Sequence, residues 1–152
     1  MKRSGFKKKP YKMKKSPLRK KSRKLTIPRL RDKVWAVFSL FIRSKGSVDG
    51  FNRCVTCGVT LPITELHAGH FIHGKNKATY LEEDNVHPQC VKCNLYLSGN
   101  LLEYYPFMEN EYGTIRIEEL KIAHKKEHIW KRQDLEDKYV YYKEKVREVL
   151  DD

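Results

Sequence analysis

Two Cys-x-x-Cys pairs, Cys54-Val-Thr-Cys57 and Cys90-Val-Lys-Cys93, hold all four cysteines of the chain, with 32 residues between Cys57 and Cys90. No other feature restricts the fold as strongly. Within each pair the two-residue gap lets both sulfurs reach one ion about 2.3 Å away, and two such pairs complete a tetrahedral Cys₄ zinc site. The segment between them becomes a loop that the metal closes. With no open coordination position, the ion is expected to be structural, and its removal to unfold the centre. A redox Cys-x-x-Cys needs only one pair and leaves the other without purpose.

A chain of 152 residues has room for one domain, and with 34% charged and 39% hydrophobic residues its apolar core is modest. A structural metal is a fitting supplement to such a core. The net charge of +13 is unevenly spread: residues 1–24 carry thirteen Lys or Arg and no Asp or Glu, leaving nineteen basic against nineteen acidic residues over 25–152. Self-repulsion and lack of apolar content predict a disordered basic arm over 1–24, followed by a single domain over 25–152. Lys7, Lys8, Lys9, Lys14, Lys15, Arg19, Lys20 and Lys21 of that arm suit the phosphates of a nucleic acid, a solubility or targeting tail being the plainer alternative. No stretch approaches the ~20 apolar residues of a membrane span, and the start lacks the apolar centre of a secretory signal. A soluble, cytoplasmic protein without membrane attachment is expected, where reduced cysteines favour metal ligation over disulfides.

Along the chain, Leu30, Val34, Val37, Phe38, Phe41 and Ile42 recur at helical spacing and predict a helix over 28–45, opened by Pro28 and stopped by Gly46. The zinc core is expected over 54–97. Residues 65–72 read as a strand, Gly74–Lys77 as a loop, and Ala78–Leu81 as a returning strand. A helix is predicted from Cys90 or Val91 through Tyr96. Helices are expected over 101–150: Leu101–Tyr112, then a short extended piece at Thr114–Ile117, then Glu118–Glu127 and about Trp130–Leu150. In the last of these, Leu135, Tyr139, Tyr142, Val146 and Val149 form a stripe too short to argue a coiled coil, so it reads as packed on its own domain, with a dimer seam as the alternative. The fold class is α+β, a zinc-stabilised ββα core with flanking helices.

Between and just after the cysteine pairs lie polar residues suited to phosphodiester hydrolysis, which needs a base for water and a divalent ion for the charge on phosphate and leaving oxygen. His70, at the end of the first strand, is the candidate base. Asn94, next to Cys93, offers a carbonyl oxygen to Mg²⁺ or Mn²⁺. Asn85 is expected to tie the connecting loop and orient the His70 ring. Lys75 and Lys77, in the loop beside His70, and Lys92, in the second knuckle, are candidate phosphate contacts. His73 and His87 carry no assigned role, and His124 and His128 read as a solvated face.

The order His70, Asn85, Asn94 inside a Cys₄ frame resembles the HNH (ββα-metal, or His-Me finger) endonucleases, in the variant whose last His is replaced by Asn. More closely, Ala68-Gly-His-Phe71, Asn85-Val-His-Pro-Gln-Cys90, Cys93-Asn94 and Ser98-Gly-Asn100, with Phe41-Ile-Arg43 and Cys54-Val-Thr-Cys57-Gly58 upstream, resemble the NinG/Rap recombination proteins of lambda-like phages. The similarity covers about residues 30–150. It implies a metal-dependent, structure-specific DNA endonuclease acting on branched recombination intermediates such as Holliday junctions and D-loops, in the host cell of a phage. Many HNH enzymes carry an acidic ligand directly before the first His, where this chain has Gly69. His67 is the candidate replacement, joining Asn94 on Mg²⁺ or Mn²⁺ if a bulge at Ala68-Gly69 re-aims it.

Two other readings stand beside this one: a noncatalytic zinc-knuckle module that binds nucleic acid, and an HNH nuclease of homing or restriction type that cuts chosen duplex sequences. Resolving a symmetrical junction calls for two active sites, so a homodimer is an expectation. A recombinase or single-strand-binding protein is a further candidate partner.

Overall fold

The structure is a computed structural model that describes residues 24–151; the expected basic arm, up to residue 23, lies outside the described residues. Helix α1 spans Ile27–Ser44 with Pro28 in its first turn, and buries Leu30, Val34, Phe38, Phe41 and Ile42. Those residues meet helix α3, Arg132–Asp151, where Leu135 and Tyr142 are buried in the same cluster. The Phe38 and Tyr142 rings meet edge to face at 4.8 Å, a favoured aromatic arrangement. The apolar stripe of α3 is thus spent on its own domain.

Strands β1 (Phe51–Arg53) and β2 (Thr60–Pro62) pair antiparallel, and the loop between them carries Cys54 and Cys57. Gly58 makes the tight return there at φ +76°, its N–H bonding Cys54 O at 2.9 Å. Strands β3 (Leu66–His70) and β4 (Val86–Cys90) form the second antiparallel pair, in unbroken register from Leu66 opposite Cys90 to His70 opposite Val86. Alternation sends Ala68, His70 and Val86 towards α1, and His67, Gly69, His87 and Gln89 to the other face. There the sheet meets helix α2, Leu101–Lys125, through a cluster of Phe71, Tyr104, Met108, Ile117 and Leu120. A small sheet between two helical layers positions everything that follows.

Three expectations are corrected. The returning strand is Val86–Cys90, whereas Ala78–Leu81 is a turn of 3₁₀ helix. Thr79, Tyr80 and Leu81 are all buried, so the segment has no two-sided alternation to offer a sheet. Pro88 is tolerated inside β4 because its carbonyl accepts from Val55 N at 3.0 Å, so its missing N–H faces the cysteine loop and not β3. The helix expected from residue 90 or 91 is a single π-helical turn, Lys92–Tyr96. Finally, Thr114–Ile117 is helical: two helices within the Leu101–Lys125 span meet at Gly113, whose non-helical conformation (φ 77°, ψ 164°) glycine tolerates.

Candidate active site

The ligand atoms of Cys54, Cys57, Cys90 and Cys93 all lie within 4.8 Å of one another. Cys57 Sγ and Cys90 Sγ stand 3.7 Å apart, close to the ~3.8 Å edge of a sulfur tetrahedron drawn about 2.3 Å around a zinc ion. The four thiols can hold zinc. Donors already face them: Cys93 N–H lies 3.4 Å from Cys90 Sγ and Asn100 Nδ2 lies 3.6 Å from Cys93 Sγ. Burial pushes the Cys57 thiol up to about 12, and the three neighbouring thiols add to the shift. A cation among the sulfurs relieves that crowding of potential negative charge. Among the described residues no second group of three His, Cys, Asp or Glu side chains is placed for a metal.

His70, 9% exposed, lies between aromatic rings, stacked on Trp35 at 4.8 Å and on Tyr80 at 5.2 Å. Its Nε2 is 3.0 Å from Tyr80 O. A carbonyl only accepts, so Nε2 carries the proton and Nδ1 keeps the free lone pair. Burial lowers its pKa to about 4, against a smaller upward pull from the Tyr80 carbonyl. At neutral pH the ring is therefore an uncharged base with a fixed tautomer.

Asn94 sits in the π-helical turn after the last cysteine, and its Nδ2 lies 3.0 Å from His67 Nδ1. The structure brings these two candidates together, at the side of a cleft of about 330 Å³ also lined by Trp35, Ser39, Arg43 and Ala68. The unbroken β3–β4 register means that no bulge re-aims His67, which stays on the face opposite His70. With Nδ1 accepting the Asn94 amide, His67 orients Asn94 and does not present that nitrogen to a cation. Asn94 Oδ1 is left turned towards Gly69, 3.1 Å from the place a Cβ there would take.

A family model described as Bacteriophage Lambda NinG protein matches residues 1–151. The chain belongs to the NinG family. It is 30% identical over 99 residues to protein ninG of Salmonella phage P22, covering 64% of this chain and 48% of that protein. To protein ninG of Escherichia phage lambda it is 29% identical over 97 residues, covering 63% and 47%. This NinG-family chain thus spans about half the length of the curated relatives it matches. No solved structure matches it. No helix among its described residues is long and apolar enough to cross a membrane.

Asn85 is fully buried but does not touch the His70 ring, contrary to the expectation. Its side chain takes Ile72 N–H and donates to Ile72 O and Thr79 O, each at 2.9 Å. It braces the loop that delivers the Tyr80 carbonyl to His70. Asn85→Ala leaves three backbone groups unpaired, one buried and two part-buried, and we expect a loss of about 3 kcal/mol in chemical denaturation; a loss below about 1 kcal/mol would contradict this role.

His87, 7% exposed, lies between Tyr104 OH (2.9 Å from Nδ1) and Tyr112 OH (2.8 Å from Nε2), while Tyr104 OH donates to Gly69 O at 2.9 Å. It is a buried strut. Lys75 is tied to Asp32 at 2.7 Å, an exposed pair of small energetic worth, while Lys92 is exposed in the π-helical turn. His124 bonds Thr79 Oγ1 through Nδ1 at 3.2 Å, and His128 packs on the Trp130 ring.

Burial lowers the pKa of both His70 and His87 from 6.5 to about 4. The folded state holds both rings neutral, so their contribution to stability is complete above pH 6.5 and is lost as pH falls from 6.5 towards 4. The loss is at most about 3 kcal/mol for each ring. Under saturating zinc, the thermal midpoint should fall through that window and fall less steeply in His70→Gln or His87→Gln. An equally steep fall in both variants would contradict it.

Sequence reasoning missed Trp35 and Tyr80 as the walls of the His70 site, Arg43 as a wall of the cleft, and Gln89. Among the described residues Arg43 donates only to carbonyls, Ser39 O at 3.1 Å, Ile63 O at 2.8 Å and Leu66 O at 3.4 Å, with no acidic partner. Trp35 falls within the helical pattern of α1 yet reads there as ordinary packing.

Proposed function

We propose that this NinG-family chain is a divalent-metal-dependent endonuclease for branched DNA, held together by structural zinc on Cys54, Cys57, Cys90 and Cys93. The observation that carries this reading is the pinned, neutral His70 imidazole, its Nε2–H on the Tyr80 carbonyl and its Nδ1 unpartnered among the described residues. The order of β3, β4 and a helical turn bearing Asn94 supports an HNH-like ββα core. Four sulfurs leave zinc no open position, so chemistry falls to the second site.

His70 Nδ1 takes the proton from the attacking water, and the Tyr80 carbonyl steadies the resulting imidazolium through Nε2–H. Trp35 and Tyr80 keep the ring plane fixed. Asn94 supplies an oxygen to Mg²⁺ or Mn²⁺, and His67 holds that amide in direction. The bound cation supplies stabilisation of charge on the phosphate and the departing oxygen. Lys77, Lys92 and the basic arm hold the backbone phosphates without reading sequence. Recognition by branch shape fits the lack of a base-reading helix among the described residues. A homodimer would present two such sites to a symmetrical junction, and sedimentation with junction DNA is the check.

The test compares cleavage of junctions of varied sequence with cleavage of fixed-sequence linear duplexes in Mg²⁺ or Mn²⁺. Junction cutting independent of sequence supports the reading. Cutting of one duplex sequence alone favours a sequence-directed nuclease. A noncatalytic binding module, favoured by Gly69 in place of a carboxylate, predicts junction binding and no cutting of either.

A further inference from the structure

Gln89, fully buried, fills the space beside Gly69 and closes the centre of the sheet face that carries His67. The outer edge of β3 stays open. Pro88, opposite Ala68, has no N–H and turns its carbonyl to Val55 N, so Ala68 exchanges no bonds with β4. Residues at such positions of an antiparallel pair point their backbone groups away from the partner strand. The Ala68 N–H therefore faces outward, and Ala68 lines the cleft of about 330 Å³ between α1 and this edge.

Arg43 supplies the charge. On α1, Trp35, Ser39 and Arg43 stand at i, i+4 and i+8 and form one stripe along the cleft, about 12 Å from end to end. Arg43 Nε donates to Ser39 O, and Nη1 to Ile63 O and Leu66 O, which fixes the plane of the guanidinium. Of its five protons, the two on Nη2 are left, and they meet no acceptor among the described residues. No Asp or Glu is among the residues lining the cleft. A half-buried cation held only by neutral carbonyls is short of a counter-charge.

We propose that Arg43 Nη2 and the Ala68 N–H seat a backbone phosphate of the bound nucleic-acid strand, next to the His70 site and outside it. The inference rests on the nuclease reading for the identity of the strand, but the seat is testable without cleavage. Trp35, at the other end of the stripe, carries the stacked His70 ring. The phosphate at Arg43 thus lies about two helical turns from the base, and Arg43 positions the strand without touching the reacting atoms. A phosphodiester matches the seat, with one negative charge and two free oxygens for two donors. An added peptide strand matches it less well, because strand addition draws on donors and acceptors alike and Leu66 O is already taken by Arg43.

The test is a cycle of paired substitutions in protein and DNA, read as binding of a four-way junction by the zinc-loaded full chain without Mg²⁺ or Mn²⁺. Phosphates near the branch are replaced one at a time by uncharged methylphosphonates, and each junction is measured with wild type and with Arg43→Gln. At one position the replacement should weaken wild type about tenfold and Arg43→Gln less than about twofold. Arg43→Gln should also lower the slope of log K against log salt by about 0.9, the share of one phosphate. Effects that multiply independently at every position overturn the seat. If Arg43→Gln loses its zinc or its thermal transition, wild type decides: the Ala68 amide signal of ¹⁵N-labelled protein should shift saturably with inorganic phosphate, and an unmoved signal overturns the seat. A shift with an extended peptide and none with phosphate overturns it in favour of strand addition. A coupled phosphate without cleavage in Mg²⁺ keeps the seat and removes the nuclease reading, whereas cleavage with no coupled phosphate does the reverse.

Discussion

Stripping zinc from the four cysteines is expected to unfold the centre of the protein. Around the sulfurs the buried residues are Cys54, Cys90, Cys93 and Leu66, with Cys57 exposed and Leu61 partly buried beside them. There is no apolar reserve to hold the two knuckles together. A zinc ion on the four sulfurs would join the β1–β2 loop to the end of β4, and the turn that carries Asn94 begins two residues after Cys90. Structural zinc in small domains binds with about 10–16 kcal/mol, as much as the whole stability of an ordinary domain, about 5–15 kcal/mol. Chelation, or Cys54→Ser or Cys90→Ser, should abolish the cooperative thermal transition of the sheet and release one zinc per chain in metal analysis. A stripped protein with its thermal midpoint preserved within a few degrees would contradict the assignment.

If the chain is the proposed nuclease, His70→Ala is expected to remove cleavage while leaving DNA binding intact. The ring is almost wholly enclosed by Trp35 and Tyr80, so it offers little surface to DNA, and phosphate contact falls to exposed lysines such as Lys92. Loss of a positioned general base costs about 10²–10⁴-fold in rate. His70→Gln keeps most of the volume in the aromatic stack and should lose a similar factor, which separates chemistry from packing. Single-turnover rates at saturating protein check this. A variant within about threefold of wild type would assign the base elsewhere.

How much of this was legible in the sequence depended on whether the cause was local. The zinc ligands could be read because two-residue spacing is itself the geometry of a shared metal, and α1 and α3 because a buried stripe repeats at helical spacing. The return strand was misplaced because its evidence is tertiary. Pro88 argues against a strand until the carbonyl beside it is seen to face Val55, and Ala78–Leu81 looks extended until Asn85 takes over the loop's backbone groups. Gly113 does break the helix after Tyr112, but a second helix follows at once where an extended piece was expected. At the site, His70 and Asn94 stood out within the motif, but the Tyr80 carbonyl that sets the histidine tautomer did not. Gly69 read as a missing ligand and a bulge; in the fold it is the vacancy that Gln89, twenty residues on, requires. No periodicity records a cross-strand neighbour.

The most direct test of the central claim is cleavage of a labelled four-way junction by zinc-loaded wild type and His70→Ala, at concentrations where both bind the junction fully, with and without Mg²⁺. The account predicts product only from wild type and only with Mg²⁺. If both proteins bind the junction and neither cuts it with Mg²⁺ or Mn²⁺, the site is not a nuclease centre.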